Sequence, residues 1–199
     1  MRNAWKPALP MVLAALLGAA APADSPLGVQ EPEGLYEGPT HGYTPPTLRG
    51  ARVVDLAAFE TLLAEKPVLI DVGLADRKPD NLPPGTIWLP THRSIPGAVW
   101  LPNAGAAPLA PAQEAAFFKR VAELTGGDTG KPVVVFCHPE CWGSWNAAKR
   151  LVGAGYGSVH WFPLGVEGWQ DAHGTTALKA DPAWTRAAGD TAKKSEPER

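Results

Sequence analysis

The segment Pro132-Val133-Val134-Val135-Phe136, followed directly by Cys137, contains four consecutive apolar residues of the kind that favours a strand. Such a run is typical of a parallel strand that is buried on both faces of a sheet. A short loop, His138 to Gly143, leads to a predicted helix from about Ser144 to Val152. Ser158 to Phe162 then predicts another strand. The segment therefore indicates a strand-helix-strand unit with a cysteine at the carboxyl end of its first strand.

The same alternation extends towards the N-terminus. Asp55 is expected to cap a helix from Leu56 to Glu65, and Pro111 to begin a helix that ends near Leu124. The stretch from Lys78 to Gly97 is too irregular to predict an element, so His92 within it is expected to be solvated. Short strands are predicted at residues 52–54, 66–72 and 98–101. We therefore expect an α/β fold with a central parallel sheet of about five strands and helices on both faces.

The chain divides into four regions by composition. Residues 1–23 carry Arg2 and Lys6 before a largely apolar run and small residues, the pattern of a cleavable signal peptide. Residues 24–50, with five Pro and five Gly, are expected to form an extended leader over the domain surface. Residues 51–175 form the predicted domain, and residues 176–199 are expected to be a polar C-terminal tail.

Charge and length exclude several classes of function. The 199 residues carry 18 Lys and Arg against 20 Asp and Glu, and cleavage after residue 23 would leave a net charge of −4. Nucleic acid and anionic membrane surfaces both require clustered cations, so neither partner is expected. The apolar run near the N-terminus is shorter than the ~20 residues that span a bilayer, so no membrane span is expected after cleavage. The sequence predicts an exported, periplasmic protein.

Cys137 and Cys141 are the only cysteines and carry the predicted chemistry. Ligands of an open parallel sheet bind beyond the carboxyl ends of its strands, where the backbone N–H groups of a following loop and helix could stabilise a Cys137 thiolate. Three intervening residues allow the pair to close as a disulfide, which an oxidising compartment favours. The pair could equally act as a redox couple, or Cys141 could resolve a persulfide on Cys137. We expect the loop to face solvent.

The sequence resembles the rhodanese-like domain family over roughly residues 50–175. Four features carry this resemblance in order: Leu69-Ile70-Asp71-Val72, Ile95 to Pro102, Val133 to Cys137 with its loop and helix, and Ala154-Gly155-Tyr156 with Leu164 to Trp169. The resemblance implies the rhodanese fold and sulfurtransferase-like chemistry at Cys137. It also places Asp71 beside the Cys strand, where its carboxylate could orient the loop or cap a backbone turn.

The loop departs from the pattern of active rhodaneses. In that family a loop of about six residues, counted from the cysteine itself, ends in an Arg that binds the anionic sulfur donor. This loop is one residue longer, Gly143 occupies the Arg position, and Glu140 adds a negative charge. We therefore expect weak binding of thiosulfate-like dianions, because the nearby carboxylate repels them. Rhodanese-related phosphatases have the longer loop but also end it in Arg, so phosphatase activity is not expected.

A narrower resemblance concerns the loop and the leader. Cys137, Cys141 and Trp142, continued by Ser144 to Arg150, are similar to the exported Cys-Cys-Trp (CXXCW) motif proteins associated with PQQ-dependent alcohol catabolism. The leader residues Tyr43 to Pro45 and Leu48 to Val53 share that resemblance. It implies PQQ chemistry as an associated process, and a periplasmic PQQ-dependent dehydrogenase or cytochrome system as partner.

Two other site types remain open. Cys137, His138 and Cys141, with His160 on a neighbouring strand, are weak candidates for a copper or zinc site. Trp142, together with other tryptophans, could stack a flat quinone, although core packing is the commoner role of large aromatics. These other tryptophans are Trp145, Trp161 and Trp169.

The candidate site therefore consists of Cys137 and Cys141 as reactive groups, with binding residues around them. The candidate binding residues are His138, Glu140, Trp142, Gly143, Ser144 and Asp71. The functional hypothesis is thiol-disulfide or persulfide chemistry, or binding of a redox cofactor. The alternative is a non-catalytic binding module on the same fold, with a structural disulfide or a Cys/His metal site.

Overall fold

A five-stranded parallel sheet forms the centre of the protein in a computed structural model that describes residues 28–75, 81–83 and 92–186. The predicted signal peptide and residues 187–199 lie outside the described residues. The strand order is β1-β6-β5-β2-β4. The strands are β1 (Arg52–Val53), β2 (Val68–Asp71), β4 (Val99–Trp100), β5 (Val133–Phe136) and β6 (Val159–Trp161). The expected α/β fold with a parallel sheet of five strands is confirmed.

Helices cover both faces of this sheet. The chain order is α1 (Leu56–Leu62), a 3-10 turn (Leu63–Glu65), α2 (Pro111–Thr125), α3 (Trp142–Gly153) and α4 (Gly165–Gln170). Phe117 and Val121 of α2 pack with Trp145 of α3 against one face. Phe59 of α1 and Trp169 of α4 pack against the other. Every residue of β5 is buried, as its apolar run predicts.

Local sequence signals account for most of the helix boundaries. The Asp55 carboxylate accepts a hydrogen bond from the Ala58 N–H at 2.8 Å and caps α1. Pro111 begins α2, and Gly126 follows its last turn at φ +68°. Helix α3 begins at Trp142, two residues before the predicted position, so the loop after Cys137 is only four residues long.

Two predictions of irregular structure are wrong. His92–Ser94 forms β3 within the stretch expected to lack elements, and it pairs antiparallel with β7 (Thr176–Leu178). Beyond β7, Trp184 is buried, and its indole N–H donates to the Pro102 carbonyl at 2.8 Å. Residues 176–186 are therefore attached to the domain by the β3–β7 ladder and by the buried Trp184, and do not form a polar tail.

The described part of the leader, residues 28–50, is irregular and lies along the domain, as its Pro and Gly content indicates. Leu48, near the end of this segment, is buried in the core. Among the described residues, no helix has both the length and the apolar character needed to cross a bilayer.

Candidate functional site

Cys137 lies at the carboxyl end of β5, where its backbone is fixed by the start of α4. The Val166 N–H donates to the Cys137 carbonyl at 2.9 Å. Gly165 has φ +59°, and a Cβ at this position would lie 2.5 Å from the Cys137 carbonyl oxygen. Only glycine permits so close an approach in the left-handed conformation. The sheet and α4 together therefore hold Cys137 in place.

Cys137 and Cys141 form a disulfide, with their Cα atoms 6.6 Å apart. The two sulfurs have different surroundings. Cys137 has an exposed fraction of 0% and packs in the core that includes Val135 and Trp161. Cys141, the residue before α3, is only partly buried. The expectation that this loop faces solvent therefore holds for its tip and is wrong for Cys137.

The loop between the two cysteines carries polar side chains beside a cavity of about 430 Å³. The His138 Nδ1 lies 2.8 Å from the Glu167 Oε1 of α4. Glu140 is exposed and adopts a left-handed φ of +52°. The residues that line the cavity are Thr40, His41, Leu74, His138, Pro139, Glu140, Cys141 and Glu167.

Gly143 and Ser144, both predicted site residues, have packing roles in the first turn of α3. The Ser144 hydroxyl donates to the Cys141 carbonyl at 3.1 Å and accepts from the Trp161 indole N–H at 3.0 Å. Gly143 is buried, and a Cβ there would lie 3.4 Å from the Cys141 sulfur. Both residues therefore face the interior rather than the cavity.

The leader covers the other side of the loop, which the sequence did not predict. The Trp142 N–H donates to the Thr40 carbonyl and the Gly42 N–H to the Glu140 carbonyl, each at 2.7 Å. His41 thereby forms an antiparallel bridge with Cys141. The first N–H of α3 therefore bonds to the leader rather than facing a sulfur atom as expected.

An aromatic stack and a side-chain amide fix the leader on α3. The Tyr36 ring stacks on Trp142 with ring centroids 3.9 Å apart. The Asn146 side chain accepts from the Tyr36 N–H and donates to the Tyr36 carbonyl, both at 2.8 Å. Trp145 donates to the Thr47 carbonyl at 3.0 Å, and Lys149 to the Pro32 carbonyl at 2.7 Å. The Trp142 face proposed for a quinone is thus covered by Tyr36.

Asp71 ends β2 and accepts three hydrogen bonds in the interior. Its Oδ1 accepts from the Gly73 N–H at 2.7 Å. Its Oδ2 lies 2.6 Å from the His92 Nε2 and accepts from the Ser94 hydroxyl at 2.5 Å. Asp71 thus caps the chain after β2 and binds β3 instead of bonding to the Cys loop.

His92 is a residue whose position the sequence prediction missed. It is 8% exposed, stacks on Trp100 with ring centroids 4.1 Å apart, and lies edge-on to His138 at 6.2 Å. The expectation of a solvated histidine is therefore wrong, since β3 brings it beneath the loop. The sequence shows His92 directly before Arg93 and Ser94. Nothing in the local sequence reveals that these residues form a strand that pairs with β7.

His160, the fourth weak metal candidate, lies away from the cysteines. It is opposite Val134 in the sheet, three residues before Cys137, a separation of about 10 Å along the strand. Its Nε2 lies 3.2 Å from the Ser158 hydroxyl. Burial first, and then the charge of Arg52, lower the pKa of His160. Within the described residues, no group of three or more His, Cys, Asp or Glu side chains is arranged to hold a metal ion.

Comparison with known proteins places this geometry in a family. The family model of the rhodanese-like domain matches residues 55–172. The chain therefore belongs to the rhodanese-like domain family. No curated protein sequence matches the chain significantly.

Two solved structures are similar to this chain at low identity. A thiosulfate sulfurtransferase from Pseudomonas aeruginosa shares 22% identity with a TM-score of 0.41, over 76% of this chain and 27% of that enzyme. A human single-domain sulfurtransferase shares 21% identity with a TM-score of 0.39, over 62% of this chain and 99% of that protein. The chain thus spans about a quarter of the length of the bacterial enzyme.

Proposed function

We propose that the protein carries out thiol-disulfide exchange through the Cys137–Cys141 pair. The observation that carries this proposal is a disulfide at the end of a central strand whose Cys141 half lines an open cavity. A bridge that closes so short a loop contributes little chain entropy to stability, roughly 2 kcal/mol in the loop-closure model. A redox role accounts for its position better than a stabilising role does.

The charge of the loop argues against transfer of a sulfur atom from thiosulfate to Cys137. Glu140 and Glu167 both line the cavity beside Cys141. Gly143 occupies the position where active rhodaneses carry an anion-binding Arg, and it is buried. Binding a sulfur-donor dianion requires a cation or a set of directed N–H groups, and the Trp142 N–H already bonds to Thr40.

Persulfide chemistry is the second reaction that this pair supports once it is reduced. A sulfane sulfur on Cys137 would be displaced when the Cys141 thiolate attacks the Cys137 Sγ. The Cys137–Cys141 disulfide forms, and the terminal sulfur leaves as hydrosulfide. The short link between the two residues favours this step, because it brings both sulfurs into contact.

A redox titration with intact-mass analysis tests the proposal. The folded protein is equilibrated with glutathione or dithiothreitol buffers, and free thiols are alkylated before mass measurement. We expect a reversible two-electron transition above about −250 mV. A bridge that opens only when the protein unfolds would contradict the proposal.

We further propose that this chemistry takes place in the periplasm and assists PQQ-dependent alcohol oxidation, with a dehydrogenase or cytochrome system as partner. The support is the pattern of residues 1–23 and the resemblance of the Cys-Cys-Trp loop and leader to such proteins. Export of a reporter by residues 1–23, and copurification of the oxidised protein with a PQQ-dependent dehydrogenase, test the two parts separately.

A non-catalytic binding module is the second candidate function. The complete burial of Cys137 and the docking of the leader over the loop favour it, because both restrict access to the pair. In this case Cys137→Ser and Cys141→Ser would lower the free energy of unfolding. No exchange activity would be lost, because a binding module has none. Comparing exchange rates of the folded protein with those of an unfolded control distinguishes the two candidates.

A further inference from the structure

The two sulfurs of the disulfide differ in how they can be reached from solvent. Cys137 is fully buried, whereas Cys141 is partly exposed and lines the cavity with His138 and Glu140. Displacement at a disulfide requires the attacking thiolate to approach one sulfur directly, and which sulfur is attacked depends on access. The cavity therefore gives an external thiol a route to Cys141.

The same cavity selects by charge. Glu140 comes from the loop and Glu167, whose Oε1 lies 2.8 Å from the His138 Nδ1, comes from α4, so two acidic residues from different elements line the space beside Cys141. The other titratable groups that line it, in the described part of the chain, are His41 and His138. A unit charge about 4 Å from a carboxylate changes a rate on the order of fivefold even in a water-like dielectric.

We propose that external thiols attack the Cys141 Sγ first, and that thiols bearing a positive charge near the sulfur are the preferred reaction partners. This inference rests on the exchange function proposed above and specifies its direction and its substrate class. A thiol on a basic segment of a partner protein, or a small aminothiol, has the required chemistry. Anionic thiols are disfavoured by the carboxylates.

The reaction proceeds in two displacements. In the first, the incoming thiolate forms a bond to the Cys141 Sγ, the Cys137–Cys141 bond breaks, and the electron pair stays on the Cys137 Sγ, which takes up a proton. In the second, another thiolate of the partner attacks the partner sulfur of the mixed disulfide. The partner disulfide forms and Cys141 leaves as a thiolate that is then protonated. Two partner thiols are oxidised, and the cysteine pair is reduced by two electrons.

Trapping of the mixed disulfide tests the order of attack. The oxidised full-length protein is treated briefly with cysteamine, quenched with acid, alkylated and mapped by mass spectrometry. We expect cysteamine on Cys141 and the alkyl group on Cys137. As a second measurement, alkylation of Cys141 in Cys137→Ala should be at least tenfold faster than alkylation of Cys137 in Cys141→Ala. The opposite assignment would overturn the order of attack.

Reduction rates with three small thiols test the charge selectivity. Cysteamine is cationic, 2-mercaptoethanol neutral and 2-mercaptoethanesulfonate anionic. Each rate is divided by the rate of the same thiol with 2-hydroxyethyl disulfide, which removes intrinsic differences in nucleophilicity. All rates are measured at a single pH, with low and high salt. We expect a normalised rate ratio of at least tenfold between cysteamine and the sulfonate. The ratio should be smaller in high salt, because screening weakens both the attraction of the cationic thiol and the repulsion of the anionic thiol.

Matched carboxylate variants connect this ratio to the cavity. Glu140→Gln and Glu167→Gln should each reduce the ratio several-fold. Glu65→Gln removes the same charge at the opposite end of the strands, just before β2, and should leave it unchanged. Equal normalised rates for all three thiols would overturn the charge selectivity alone. Failure of every thiol to open the bridge in the folded protein would instead contradict the proposed function.

Discussion

At the scale of single residues, the two cysteines of one disulfide have different environments and therefore different roles. Cys137 is an interior residue that contacts the apolar core, while Cys141 is the N-cap of α3 at the edge of a cavity. A thiol behaves as a small apolar side chain when it is buried, whereas a hydroxyl there requires a hydrogen-bond partner.

Under reducing conditions, Cys137→Ser should lower the free energy of unfolding by about 1–3 kcal/mol more than Cys137→Ala does. The reason is that the serine hydroxyl would be buried in the core. Urea unfolding with a reductant present measures both values. The same pair of substitutions at Cys141 is the control and should differ by less, since water reaches that position. Equal stability of the two Cys137 variants would show that water also reaches Cys137.

Asp71 gives a second prediction at this scale. Its carboxylate is fully buried and accepts from the Gly73 N–H and the Ser94 hydroxyl, with His92 as its third partner. Asp71→Ala would leave these groups without an acceptor, at about 1–3 kcal/mol for each group that stays buried. We expect a loss of roughly 3 kcal/mol or more in urea unfolding. Ser94→Ala should cost less, and a loss below about 1 kcal/mol for Asp71→Ala would show that β3 is not held by this carboxylate.

At the scale of elements, the leader acts as part of the loop region, because its backbone pairs with the residues on either side of Cys141. The stack of Tyr36 on Trp142 and the Asn146 amide fix its position. Most of the hydrogen bonds between α3 and the leader involve carbonyl and N–H groups of the leader. They therefore fix the leader's backbone rather than its side chains.

Removing the aromatic anchor should release the leader. Tyr36→Ala should lower the free energy of unfolding by about 1–2 kcal/mol and should speed proteolysis between residues 28 and 46. It should also speed amide exchange at Trp142, whose N–H bonds to Thr40. Tyr36→Phe keeps the stacked ring and serves as the control, with values close to wild type. If both variants were cleaved at the wild-type rate, the stack would not be what fixes the leader.

The sequence predicted those elements whose signals are local. The apolar run before Cys137 defined β5, and Asp55 marked the start of α1. The contacts that could not be predicted are long-range and use the backbone or single polar atoms. Asn146 binds Tyr36 across 110 residues, and β3 pairs with a strand in a segment of polar composition. Neither leaves a periodic pattern in the sequence.

At the scale of the whole molecule, the polar groups around the cysteines gather at the carboxyl edge of the sheet, as expected for open parallel sheets. Glu167 of α4, His41 of the leader and His138 of the loop come from three separate segments. The fold therefore assembles the cavity from distant parts of the chain, which explains why local sequence identified the cysteines but not all of their neighbours.

His160 lies on this sheet away from that edge and makes stability depend on pH. It is 5% exposed, its Nδ1 has no hydrogen-bond partner among the described residues, and burial followed by the Arg52 charge lowers its pKa below the ordinary 6.5. Below about pH 6.5 the unfolded chain therefore binds this proton more readily than the folded protein, so the free energy of unfolding falls as the pH is lowered.

His160→Leu removes that proton uptake, and the other histidines are common to both proteins. We expect the stability of the variant relative to wild type, measured by urea unfolding, to rise steadily from about pH 7 to about pH 5. A pH-independent difference would mean that His160 takes up its proton equally well in the folded and unfolded states.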